Sequence, residues 1–254
     1  MLTGLMVLLV LLLSVAIASR IVNRQLRPDA DLWARFAHPS ADALASAIRR
    51  NDTTAAELAR VHEDWSARSQ EGLSLLGVAV RHALLENGPA DFVRLLLEAG
   101  ADANERFTTD GDAILIEVLE QTGPASDSIF KMLLDHQGSP DTHDRFGTPI
   151  LHRARRRLLK MKLLLDYGAD INAVDASRHR RGWTAAMSLL ADEAYDEVLY
   201  LVQRGADLHH HSPAGDTIHS LMEQRRSVAA LSGSKLPESF RALESALTVH
   251  ARTR

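Results

Sequence analysis

The stretch Leu95-Leu96-Leu97-Glu98-Ala99-Gly100-Ala101-Asp102-Ala103-Asn104 decides how this chain is read, because it returns. It recurs as Leu163-Leu164-Leu165-Asp166-Tyr167-Gly168-Ala169-Asp170-Ile171-Asn172 and as Tyr200-Leu201-Val202-Gln203-Arg204-Gly205-Ala206-Asp207-Leu208. A weaker copy runs from Met132 to Asp141 and contains Gly138. Self-similarity of this kind marks a repeat architecture. A second landmark opens each unit: Gly72-Leu73-Ser74, Gly111-Asp112-Ala113, Gly147-Thr148-Pro149, Gly182-Trp183-Thr184 and Gly215-Asp216-Thr217. Those glycines lie 39, 36, 35 and 33 residues apart.

Each unit has a physical logic. Apolar residues in the opening half (Ile114, Ile116 to Leu119; Met187, Leu190) recur at helical spacing, as do Phe92, Leu95, Leu96 and Val198, Leu201, Val202 in the closing half. The glycine after each closing helix stands where a left-handed residue would end it. The Ala-Asp-x-Asn that follows suits a turn leading into an extended finger. One helix pair cannot bury its apolar face alone, so neighbours must stack. The expected fold is all-α: a solenoid of helix-turn-helix repeats with short extended fingers.

These blocks, with the Gly-Thr-Pro opening at 147–149, resemble the ankyrin repeat family. The resemblance is good over about 72–215 and extrapolates to about 42–249. It implies a degenerate capping repeat at 41–71, four ankyrin-like repeats at 72–214, and a closing cap and tail at 215–254. Residues 41–64 keep a two-helix pattern (Leu44, Ile48, then Leu58, Val61), and Leu236, Phe240, Leu243 and Leu247 share one face of a last helix beginning near Pro237. There are departures. The family's Leu-His pair is approached only by Leu151-His152, displaced by one residue. The units opening at Gly72 and Gly111 run 28 and 27 residues to their closing glycine, against 23 in the unit opening at Gly182. The extra residues are expected in helix-helix turns around Glu86 to Ala90 and Gln121 to Ser126. The finger between Gly168 and Gly182 is also long and carries Arg178-His179-Arg180-Arg181.

Met1 to Ser19 holds seven leucines and no charged side chain. As a helix, residues 2–18 reach roughly 26 Å, and Ile21 and Val22 extend this toward a hydrocarbon thickness of about 30 Å. The fold is therefore expected to be preceded by one transmembrane helix at 1–22 and a juxtamembrane linker at 23–40. Arg20, Arg24 and Arg27 flank the segment on one side and nothing basic flanks the other, so the positive-inside rule places the body in the cytoplasm. A cleaved signal peptide ending at Ala16-Ile17-Ala18, with a periplasmic or exported body, is the competing reading, although it lacks a positive start.

The 254 residues are 46% hydrophobic, 5% aromatic and free of cysteine, which excludes disulfides, thiolate metal sites and a catalytic cysteine. The net charge of −4 conceals segregation. Residues 82–144 hold 13 acidic side chains against 3 basic, and residues 145–181 hold 10 basic against 3 acidic. In a solenoid this sets an acidic stretch beside a basic one. Two readings stand: a charged groove steering a partner, or solvated surface with pairing between adjacent repeats. In the first, Arg153, Arg155, Arg156, Arg157, Arg178, Arg180 and Arg181 are candidate partner-binding residues, with forked donors for carboxylates or phosphates. Trp183, beside the basic finger, is the candidate interface anchor, with packing between repeats as its alternative.

No catalytic signature is present. His62-Glu63-Asp64-Trp65 is not a zinc-protease helix, and neither a phosphate loop nor a nucleophile elbow occurs. His209-His210-His211 alternates in direction along an extended finger, which disfavours one shared ion. The pairs Asp110/Asp112 and Asp141/Asp144 fall at repeat boundaries, where turns and caps want them. No metal, cofactor, nucleic acid or small-molecule substrate is expected. The expected function is that of a membrane-tethered, non-enzymatic adaptor or scaffold that binds a partner protein in its concave groove. The alternative is a bacterial-type immunity protein that neutralises a toxin or secreted lipase. Binding by such arrays is implied by the resemblance alone, since fold does not fix function.

Overall fold

Six helical pairs stack in register in the computed structural model, which describes residues 34–252. They are α1 (Pro39–Arg49) with α2 (Ala55–Arg60), α3 (Leu75–Leu85) with α4 (Asp91–Glu98), and α5 (Ile114–Glu120) with α6 (Pro124–Asp135). A single 3-10 turn (Ile150–Arg153) then pairs with α7 (Leu158–Asp166), α8 (Ala185–Ala191) with α9 (Tyr195–Gln203), and α10 (Ile218–Ser232) with α11 (Glu238–Arg252). The second members form one continuous layer, each against the next: α2, α4, α6, α7, α9, α11. The first members line the other side, where the 3-10 turn sits between α5 and α8. The segment expected to span a membrane, residues 1–22, lies outside the described residues. Among those described, no helix is long and apolar enough to cross one.

Local chemistry explains the boundaries. Ser74 and Thr184 cap their helices by accepting from the backbone N–H of Gly77 and Met187, and Thr217 forms a reciprocal capping box with Ser220. Gly100, Gly168 and Gly205 take the expected left-handed conformation, with φ of 111°, 92° and 91°. The fourth copy departs from expectation. There Gln137 turns left-handed (φ 68°) and Gly138 does not, because the stop falls one residue earlier. The repeated Asp-x-Asn is a ladder. Asp102 and Asp170 accept from the N–H of Asn104 and Asn172, two residues on. Asn104, Asp141 and Asn172 accept in turn from the N–H of Ser139, Asp170 and Asp207 in the next unit, at 2.6, 2.7 and 2.8 Å. The fingers fold back through isolated bridges such as Arg106 to Ala113 and Val174 to Thr184.

One of the two expected turn insertions forms and the other does not. Glu86 to Ala90 does form a helix-helix turn, but in the next unit the turn is only 121–123. The additional residues instead lengthen α6 to 12 residues, against 8 or 9 in α4, α7 and α9. Pro124 starts that helix, and Ser126, inside it, is fully buried. With the six pairs numbered in chain order as repeats one to six, the fourth is short: 21 residues separate Gly147 from Gly168. Its inner helix therefore shrinks to the four-residue 3-10 turn, and Arg156 reverses the chain with φ 57°.

Candidate functional site

The shortened turn leaves less apolar surface with which the fourth repeat can hold the third, and the basic run 153–160 compensates. Lys160, on α7, is buried to 1% of its surface. Its Nζ donates to the carbonyls of Val118 and Gln121, both at 2.7 Å, and to Ser126 Oγ at 2.5 Å. Those carbonyls belong to the C-terminal end of α5, where a helix lacks internal partners and its dipole favours a cation. Asp127 lies 3.7 Å away and the Phe130 ring 5.6 Å. Burial draws the ammonium pKa down to about 8, with Asp127 opposing, so it stays charged at neutral pH.

Arg157 donates to the carbonyls of Leu119 and Glu120 at 3.2 and 2.8 Å. Arg153 reaches Asp112 (3.2 Å), Asp144 (2.9 Å) and Glu120. Burial works against its charge, but those three carboxylates outweigh it and raise its pKa. Asp112 and Asp144 also take backbone N–H groups, of Arg145 and of Phe146 and Thr148. The junction between the acidic and basic blocks is thus the seam between repeats three and four.

The long finger is similarly braced. Arg180 forms a two-pronged pair with Asp192 at 2.9 and 2.5 Å and also donates to the Ser188 carbonyl at 3.1 Å. Trp183 is half-buried, packs on the core and donates from Nε1 to Asp216 at 2.9 Å. His210, from the histidine run, donates to the Gly182 carbonyl at 2.6 Å. His152 lies in the core between repeats. Its Nε2–H donates to the Ala173 carbonyl (2.9 Å) and its Nδ1 accepts from Ser188 Oγ (3.0 Å). Burial lowers its pKa, favouring this neutral form.

Of the candidate partner-binding residues, then, Arg153, Arg157, Arg180 and Trp183 are engaged within the array. Arg155, Arg156, Arg178 and Arg181 are exposed and have no acidic side chain within ion-pair distance among the described residues. Arg155 enters a cleft of about 340 Å³ between the inner sides of repeats four and five, together with His152, Asp175, Ser177, His179 and Asp192. On the neighbouring fingers Phe146 is 64% and Val174 44% exposed, and Arg145 lies 5.0 Å over the Phe146 ring. Sequence reasoning passed over Phe146, although an aromatic residue just before an opening glycine in an otherwise polar finger was visible.

No family model matches the chain, and neither does any curated protein. Solved structures do. An ankyrin repeat domain from Acinetobacter baumannii AYE superposes with a TM-score of 0.62 at 22% identity, covering 82% of this chain and 96% of that one. A second ankyrin repeat protein gives 0.57 at 24% identity, over 76% of this chain and 98% of its own. With paired helices in two layers and fingers folded back between them, the described residues have the ankyrin-repeat fold.

Proposed function

We propose that this protein is a non-enzymatic interaction module that holds a partner protein in its concave groove, centred on repeats four and five. One observation carries the reading. Arg153, Arg157 and Arg180 are engaged within the array, whereas Arg155, Arg156, Arg178 and Arg181 are exposed with no carboxylate partner among the described residues, and the finger of Arg178 and Arg181 is joined to the one that carries the exposed Phe146 ring. Internal stability accounts for the paired members and not for these. Exposed cations steer an encounter, and an exposed aromatic supplies a buried anchor on binding. A rigid scaffold that presents variable fingers suits recognition. In this reading residues 1–22 tether the array to a membrane, with the body on the cytoplasmic side.

Capture from the host's own membranes tests the proposal. Full-length tagged protein is compared with the Arg155→Glu/Arg181→Glu variant, whose changes touch no internal pair. A co-purifying protein should be retained by the native chain and fall at least tenfold in the variant. Equal recovery from both would defeat the groove. The identity of the captured protein also separates an adaptor from an inhibitor: a toxin or lipase would favour the latter.

A further inference from the structure

The donors and acceptors of the cleft are unequally satisfied. Its acceptors are already engaged. The Asp175 carboxylate takes the N–H of Ser177 at 2.6 Å and the Thr148 hydroxyl at 3.2 Å, and Asp192 is held by both prongs of Arg180. His152 has both ring nitrogens bonded. Arg155 and His179, by contrast, are exposed and make no hydrogen bond or ion pair among the described residues. Arg178 and Arg181 continue the same surplus along the finger that carries His179. A cleft with unmatched donors and satisfied acceptors calls for an acceptor from outside.

We propose that this cleft receives an acidic segment of the partner protein, with an aspartate or glutamate carboxylate entering between Arg155 and His179 and further acidic residues lying along Arg178 and Arg181. The inference rests on the interaction-module reading above. Charge selects the carboxylate. Asp175 and Asp192 line the same cleft, and like charge repels a phosphate dianion more strongly than a carboxylate. The acidic neighbours around Arg153 likewise oppose a continuous polyanion such as nucleic acid. At about 340 Å³ the cleft lies at the small end of ligand sites, which suits one or two residues of an extended chain. The backbone N–H of Ala176 donates to the Gly147 carbonyl at 3.2 Å. That bond joins the arginine finger to the finger carrying Phe146, where an apolar neighbour of the acidic residues can rest.

The experiment is selection of a random dodecapeptide display library on immobilised full-length protein, at low and at 0.5 M salt. The selected sequences should contain Asp and Glu at three or more times their frequency in the unselected library. That enrichment should disappear on the Arg155→Glu/Arg178→Glu/Arg181→Glu variant, checked to melt as the native protein does, and should weaken in high salt. Synthetic copies of the selected peptides should bind the native protein at least tenfold more tightly than their Gln/Asn counterparts. Convergent peptides that are apolar or basic, or an acidic enrichment that survives charge reversal, would overturn the acidic-segment proposal while leaving a protein-binding groove. Failure to obtain any convergent sequence would count against both.

Discussion

Replacing Lys160 with methionine is expected to lower the thermal midpoint of the array by roughly 6–12 °C, from a loss of about 3 kcal/mol. Methionine keeps most of the aliphatic stem that packs beside Phe130, so the change is chiefly in the ammonium. Its removal leaves the Gln121 carbonyl and the Ser126 hydroxyl oxygen without the donor they now accept from, while the Val118 carbonyl keeps the Ser126 hydroxyl at 3.0 Å and the Gln121 N–H at 3.2 Å. Each buried acceptor left alone costs about 1–3 kcal/mol. The loss falls on the seam between repeats three and four, where a 3-10 turn replaces an inner helix. Because a solenoid's stability is a sum of repeats and their interfaces, the single transition should also broaden or divide into two. Circular dichroism melts of the full-length protein report both effects. The matched control is Lys162→Met, half-exposed beside the Tyr200 ring at 5.2 Å, which should move the midpoint by about 2 °C or less. A Lys160→Met midpoint as little changed as that of the control would contradict the role given to the buried ammonium.

The second large effect is a pH dependence set by Glu105. This carboxyl is mostly buried in the finger between repeats two and three, 3.1 Å from Arg68. Burial pushes its pKa from 4.5 to about 7, although Ser74 and Arg68 pull the other way. Between those values the folded chain holds a proton that the unfolded chain has released. Stability from this group is therefore greatest at or below about pH 4.5 and is lost as pH rises through 7. The expected swing is roughly 2–3 kcal/mol. Glu105→Gln stays neutral throughout. It should match the native protein near pH 5, exceed its stability at pH 8, and lack the share of the slope between them that Glu105 supplies. His152 acts with the opposite sign: burial keeps it neutral when folded, so its contribution is lost as pH falls below 6.5. Denaturant midpoints of both proteins at pH 5, 6, 7 and 8 cancel the His152 contribution in the difference. Parallel curves would show that Glu105 ionises in the folded array as it does in water.

The fold was legible because its signal is local and repeated. The Leu-Leu-Leu-x-x-Gly-Ala-Asp blocks carry their own helix, stop and turn, and three copies identify the period. The site was only partly legible, because its decisive contacts are distant in sequence. Lys160 stands among leucines as one more charge on a helix face, and nothing near it reveals the carbonyl ends of α5, which lie 39 and 42 residues away. The same distance hides which arginines are paired. Arg153 and Arg155 are two residues apart, yet only Arg153 meets Asp112, Glu120 and Asp144. Composition could show that acidic and basic blocks adjoin, but not that their junction is an internal seam. Nor could it foretell that the surplus residues of the third unit would extend α6, since a proline-led helix and a longer loop have the same length.

The central claim is that the partner lies in the groove at repeats four and five. Site-specific photo-cross-linking in living host cells tests it most directly. A photoreactive residue is placed at position 155 or 179 in the cleft, and separately at position 98 or 203 on the exposed outer helices. The account predicts covalent capture of one protein from positions 155 and 179 and none from 98 and 203. Capture from the outer positions, with the cleft positions silent, would contradict it.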